Sequence, residues 1–419
     1  MKLEKYSIGV GDRFGQQGVP QLQALIQAKK SGIDLTPVWN KSHREHQIVG
    51  THPDSVRMAA DEAVSALNWD APYFVDADHI RMETVDGFIA DSDYYTLDVA
   101  DFIGISVSKE DKETFIKKYA GYMGKLEIPG IDQPFEVNRQ FLCRFADMYL
   151  SAIRQAEKIY RHLENVKGKN NFVTEISMDE TERPQKPDEL FFILGALADV
   201  FIPVQAIAPK FVGRFNKGVD YEGDLRQFER EFNQQLAVVA FAIKVFSLPQ
   251  NLKLSIHSGS DKFSIYRPIG KLLRKWRAGI HLKTAGTTWL EELIGLAEAE
   301  GDGLKIAKEI YFHAHKRAEE LCLPYATVIR IDRSKLPAVE EVETWNGRMF
   351  AATLRHDLSC EAYNPHFRQL LHIGFKIAAE MGERFILALR DNKEIISKQV
   401  FDNLFERHIQ RLFFNCSQS

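Results

Sequence analysis

KLSIHSGSDKFSIY, Lys253–Tyr266, begins as a strand and ends as something else. Leu254 and Ile256 fall on one face and Ser255 and His257 on the other, because side chains of an extended chain alternate with period two. Two serines around a glycine, an aspartate and a lysine follow at once. A strand that buries one face under helices and crowds ionisable groups at its carboxyl end reads as a strand of a parallel barrel, where that end opens on the active site. Seven other short apolar runs share the pattern: YSIGV (Tyr6–Val10), DLTPVW (Asp34–Trp39), PYFVDAD (Pro72–Asp78), DYYTLD (Asp93–Asp98), NFVTEISMD (Asn171–Asp179), VQAIAPK (Val204–Lys210) and GIHLKTA (Gly279–Ala285). Helical periodicity fills the gaps between them, as in VPQLQALIQAKKSG, EVNRQFLCRFADMYLSAIRQAEKIYRHLENV and PDELFFILGALADV. Eight strands alternating with helices predict an α/β fold, a closed (β/α)8 TIM-type barrel.

The barrel is expected over residues 1–286, with a long insertion near 103–134 whose GKLEIPGIDQP suggests a small ribbon or lid. From 287 to 419 the pattern is a last barrel helix and a mainly helical C-terminal extension packed on the barrel; YATVIRI near Tyr325 is ambiguous between strand and helix.

The composition excludes several classes of protein. Lys plus Arg total 54 against 58 Asp plus Glu, without a long block of one sign, so neither a nucleic-acid backbone nor an anionic membrane is an expected partner. The four cysteines, Cys143, Cys322, Cys360 and Cys416, lack any zinc or redox spacing and read as reduced thiols of a cytoplasmic protein. The first residues lack the apolar core of a signal peptide, and no run approaches the ~20 residues of a membrane span. A homo-oligomer is compatible with the sequence.

At the strand ends the polar positions gather. Val173, Glu175, Ser177 and Asp179 share one face of the fifth run, and His281 and Lys283 one face of the eighth. Asp76, Asp78, His79, Glu175, Asp179 and His257 offer carboxylate and imidazole donors without a thiolate, a mixture suited to a divalent ion such as Zn, Mn, Co or Ni. Arg13, Lys210, Lys262 and Lys283 supply cations for the acidic or hydroxyl groups of a substrate. Structural roles compete with each assignment: His257 as a strand-end hydrogen-bonder, Asp76, Asp78 and Asp179 as turn or cap residues, and HREH (His43–His46) as a solvated loop. GVGDRFG lacks the third glycine of a dinucleotide loop, because Phe14 stands there.

GVGDRFG, DADH, SMDET, KGVDYEGDLRQFERE, LSIHSGSDKFSIY, LKTAGTTWLE and RQLLHIGF together resemble the matching segments of the tagaturonate epimerase family. Family members carry an additional segment ahead of the first strand, which begins here at Tyr6. The resemblance implies a metal-dependent barrel that inverts C4 of a ketohexuronate, interconverting tagaturonate and fructuronate, or acts on a related ketohexose. In a 2-keto sugar the C3 proton is acidic but the C4 proton is not, which favours retro-aldol cleavage of C3–C4, rotation of the aldehyde and re-addition. On this reading His79, Glu175, His257 and Asp78 are the expected metal ligands and Asp179 the acid/base. Lys283 steadies the enediolate, and Asp12, Arg13, Lys210, Lys262 and His372 line the substrate site, with a buried structural role equally open for His372. An aldolase or ketose isomerase on the same scaffold, or a non-catalytic sugar-acid-binding protein, are the alternatives.

Overall fold

In the computed structural model, which describes residues 1–179, 181 and 183–414, eight parallel strands close into a barrel in chain order. They are β1 (Tyr6–Gly11), β2 (Thr36–Ser42), β3 (Phe74–Ile80), β4 (Tyr94–Asp98), β5 (Val173–Met178), β6 (Ala206–Pro209), β7 (Lys253–Ile256) and β8 (Ile280–Leu282). Each lies within one of the eight runs or overlaps it, and β8 closes on β1 with Ser7 opposite His281. Closure removes both sheet edges.

The outward faces carry the continuous apolar core shared with the surrounding helices, including Ile8, Leu97, Ile176, Ile207, Leu254 and Leu282. Inside, Leu3, Val38, Phe74, Tyr94 and Val173 form a small apolar plug at the amino end of the strands. Above the plug the interior is polar, with Asp76, Thr96, Glu175, Ser255, His281 and Lys283 all buried. A barrel filled with apolar layers is a scaffold only; this one spends its upper layers on charge.

The insertion forms the expected ribbon, Gly124–Leu126 paired antiparallel with Phe135–Val137, but not a lid. A Cβ on Gly130 of the ribbon would sit 2.3 Å from the ring of Trp276, the last residue of helix Phe263–Trp276. The preceding helix, Lys109–Tyr119, anchors its Tyr119 hydroxyl on Asp199, the last residue of Pro187–Asp199. Both anchors lie at helix carboxyl ends, so the insertion covers the barrel's outside toward the end opposite the mouth. YATVIRI forms no strand; Leu323–Tyr325 is a 3-10 turn.

After β8 the chain leaves the barrel. Helix Thr288–Glu298 buries Trp289, Leu290, Leu293 and Ile294 in a second apolar core built with Ile310, Tyr311, Phe350, Phe367 and Leu370. The chain then returns, and Leu404, Phe405, Ile409 and Leu412 rejoin the barrel core. Residues 393–413 pack between helices Gly18–Lys30 and Phe263–Trp276, where the eighth barrel helix belongs. Thus the second core is an excursion between the eighth strand and the helix that completes the ring. No helix among the described residues is long and apolar enough to cross a membrane. Cys416 lies outside the described residues.

Candidate active site

A cavity of about 400 Å³ opens at the carboxyl ends of the strands. Its floor is the charged interior of the barrel. Lys283 reaches Asp76 at 2.8 Å, Asp78 at 2.9 Å and Glu175 at 3.7 Å, and also donates to the Thr96 hydroxyl. Burial pushes the Asp76 carboxyl up, and Asp78 and Glu175 add to that, so that it stands at about 7 despite Lys283. Burial also opposes ionisation of Asp78, but Lys283 and His79 prevail and hold it low. Asn40 donates to the other Asp78 oxygen at 3.3 Å.

Glu175 is fully buried and saturated, accepting from Tyr94, from Ser255 at 3.0 Å and from His257 Nε2. The other nitrogen of His257 lies 3.2 Å from Asp179 Oδ1, and Asp179 accepts from Ser177 at 2.6 Å. Burial alone would lower the His257 imidazole; Asp179 and Glu175 overcome it and lift it to about 10. The same pairing holds Asp179 below the usual carboxylate range against its own burial.

His79 reaches this cluster through a backbone device. The pairing of β3 with β4 slips between Ala77 and Ile80, and His79 has φ 51°, in the left-handed region that disfavours a branched or bulky side chain. A bulge of this kind breaks strict alternation, so Asp78 and its neighbour His79 both serve the mouth. Ser258, Asp261 and Thr284, all at the same end, are also left-handed, with φ of 50°, 64° and 56°. Such strain persists only where surrounding structure enforces it, and it gathers at functional sites. His79, Asp179 and His257 present ligand atoms that all lie within 4.8 Å of one another. His79 Nδ1 is buried with no hydrogen-bond partner among the described residues, and the donor set is two imidazoles and a carboxylate. These residues fit a borderline divalent ion.

Closed β/α barrels carry many chemistries, so the comparison with known proteins decides among them. The chain matches the family model for tagaturonate epimerase over residues 1–412. The chain belongs to the tagaturonate epimerase family. It is an isomerase of the carbohydrate epimerase type. The tagaturonate/fructuronate epimerase of Thermotoga maritima is 28% identical over 424 aligned residues, spanning 97% of this chain and 80% of that protein. A glycerol-complexed crystal structure of the fructuronate-tagaturonate epimerase of Cohnella laeviribosi superposes with a TM-score of 0.79 at 25% identity, covering 98% of this chain and 82% of that one. The native structure of the Cohnella enzyme, at 23% identity and a TM-score of 0.79, shares the fold.

Within this epimerase barrel, the residues expected from sequence separate into three groups. His79, Asp78, Asp179, His257 and Lys283 converge on the cavity, with Asp12, Arg13 and His372 also in its wall. Glu175 stands beneath His257 and orients it rather than joining the cluster of ligand atoms. Asp179, expected as the acid/base, is also the carboxylate of that cluster, and His257 holds it below the usual carboxylate range against its own burial. Asp12 accepts from the backbone N–H groups of Gly15 and Gln17 and so shapes the loop after β1.

Lys262 and Lys210 do not line the cavity. The Lys262 ammonium is fully buried and donates to the carbonyls of Asn216, Val219 and Ser260, leaving nothing for a substrate carboxylate. Lys210 donates to the Thr181 carbonyl. Sequence reasoning missed Asn40, Lys41 and Lys217, all in the cavity wall. Lys41 was legible in principle, because a lysine at the end of an otherwise buried strand needs a polar destination; it donates to the Arg13 carbonyl at 2.8 Å and to Thr51 at 2.7 Å.

Proposed function

We propose that the protein interconverts tagaturonate and fructuronate by inverting C4, with a divalent ion held by His79, Asp179 and His257. The observation that carries the reading is the junction, at one cavity, of that ligand cluster with the Lys283–Asp78 pair, in a chain of this family. When bound, a divalent ion there would supply Lewis-acid stabilisation of negative charge on neighbouring substrate oxygens. Glu175 fixes the ring of His257, and Asp78 with Lys283 forms the proton-handling pair. Asp78 accepts the proton of the C4 hydroxyl as the C3–C4 bond breaks and the electron pair moves toward the C2 carbonyl; it returns that proton after the aldehyde has turned its other face. Lys283 keeps Asp78 ionised beside the developing negative charge. The cationic side of the cavity wall receives the uronate carboxylate.

The test uses chelator-treated protein incubated with tagaturonate, fructuronate, tagatose or fructose, with and without Mn, Zn, Co or Ni, and NMR analysis of products. A C4-inverted ketose is expected only with metal. Three-carbon fragments would instead identify an aldolase and an aldose a ketose isomerase, and no conversion under any condition would sink the proposal.

A further inference from the structure

The loop 216–219 after β6 is fastened in an unusual way. Four successive carbonyls each accept from a buried side chain: Asn216 and Val219 from Lys262 at 2.7 and 2.6 Å, Lys217 from Gln369 at 3.2 Å, and Gly218 from Arg368 at 2.6 Å. The Lys217 N–H donates in turn to the Val328 carbonyl at 2.8 Å. Lys262 and Arg368 are both 0% exposed, so two desolvated cations are committed to holding a surface loop. Arg368 is itself locked by Asp261 at 2.9 Å and by the Leu354 carbonyl at 2.9 Å. Gly218 has φ 76°, and a Cβ there would press on His372 at 3.2 Å, so the loop also seats that imidazole.

The side chain this clamp presents is Lys217. Its ammonium lines the cavity and makes neither hydrogen bond nor ion pair among the described residues. The other lysines and arginines of the wall are committed: Arg13 to Glu45 at 3.0 Å and to the face of Phe375, Lys283 to Asp76 and Asp78, Lys41 to the Arg13 carbonyl and Thr51, Arg44 to the Pro324 carbonyl at 3.2 Å and the face of Tyr325, and Arg81 to Asp98 at 2.8 Å and Asp101 at 2.6 Å. The clamp fixes the backbone that carries Lys217, so pairing with a ligand costs side-chain freedom but no ordering of the loop.

We propose that Lys217 receives the carboxylate of the sugar acid and so sets the preference for a uronate over a neutral ketose. This rests on the epimerase reading above and adds the residue that selects the substrate class. Lys217 is half-buried and unpartnered among the described residues, so K217M should leave the melting temperature unchanged. The kcat/KM for tagaturonate should fall about 10- to 100-fold, carried by KM, the worth of one charge-assisted hydrogen bond. Competitive inhibition by the aldonate formed on reducing the keto group should weaken equally, while inhibition by the corresponding neutral hexitol should hold; K217R should recover part of the loss. An unchanged KM with tagaturonate, or equal loss of aldonate and hexitol binding, would overturn the assignment. Calorimetric binding of the aldonate to wild type and K217M separates the two readings: Lys217-dependent binding without turnover defeats the epimerase proposal alone, whereas turnover without Lys217 dependence defeats this one alone.

Discussion

Replacing Lys283 with methionine keeps most of its volume and removes its charge from the most acidic part of the barrel. Asp76 and Asp78 lie 2.8 and 2.9 Å from the ammonium and Glu175 lies 3.7 Å away, all of them buried. At an effective dielectric of about 20, each of the two nearer contacts is worth about 6 kcal/mol in gross Coulomb energy. The protein escapes most of that by protonating a carboxylate, and breaking a buried pair typically costs about 3–5 kcal/mol. The escape depends on pH. Asp76 already stands at about 7 in the folded protein, above its unfolded value near 4, so its contribution to stability falls as pH rises through that window. Without Lys283 all three carboxylates shift upward, and the penalty relative to wild type grows with pH. We expect K283M to lose about 3–5 kcal/mol at pH 8 but only about 1–2 kcal/mol at pH 5.5. At about 2 °C per kcal/mol for a core of this size, the melting temperature should drop by roughly 6–10 °C and 2–4 °C respectively. Differential scanning fluorimetry on metal-free protein measures both. A pH-independent loss, or one below about 1 kcal/mol at pH 8, would refute the picture of Lys283 as the counter-ion of this cluster.

Gly9→Ala would place a Cβ 2.8 Å from Thr284 N and 3.1 Å from Lys283 Cα, both backbone atoms that cannot yield separately. It should cost about 1–3 kcal/mol and lower kcat by displacing Lys283; a wild-type melting curve and kcat would contradict it. Asp261→Asn leaves Arg368 unpaired at 0% exposure and should destabilise by about 3–5 kcal/mol, read by urea unfolding, with R368M in the same chain recovering part of the loss. Arg368 and His356 hold the Asp261 carboxyl below its ordinary value against burial, so its stabilisation is present above about pH 4 and fades as pH falls. Bound Mn or Zn, measured by elemental analysis, should drop sharply in H79A and H257A; full occupancy in both would exclude the proposed ligand cluster. Because the proton on His257 must leave before a metal binds and its folded value is about 10, metal affinity should rise about tenfold per pH unit between pH 6.5 and 8.5, and a flat profile by titration calorimetry would count against His257 as a ligand.

The barrel was legible because eight strand-like runs each set an apolar face against a polar one, and that alternation survives without knowing any contact. Much of the mouth was legible too, since Asp78, His257 and Lys283 follow directly from strand phase. What alternation could not supply was His79's orientation, because the bulge that re-aims it lies in backbone pairing between β3 and β4. In GSDK the composition promised a substrate contact, yet Asp261 and Lys262 turn away to bind Arg368 and the 216–219 loop. Their partners lie far away in the chain, and local sequence carries no sign of them. Lys217 was hidden for the same reason: what distinguishes it from any loop lysine is that four neighbouring carbonyls are taken by side chains from two other segments. The return of residues 393–413 to the barrel is likewise a matter of packing, since their helical periodicity fits an extension equally well.

The charges at the mouth form one connected arrangement. Asp78, Glu175 and Asp179 are held ionised, while Asp76 is pushed toward neutrality. Opposite them stand Lys283 and the imidazolium of His257, so this set is one positive charge short of balance. Protonation of Asp76 and the lift of His257 to about 10 are the responses of a site with surplus negative potential. A divalent ion at His79, Asp179 and His257 would displace one proton and bring two charges, which restores balance without moving any side chain that Glu175 or Lys283 holds. A neutral ketose would enter that balanced site without cost, whereas a uronate brings a further negative charge. Lys217 in the cavity wall, unpartnered among the described residues, offers the charge that such a substrate requires.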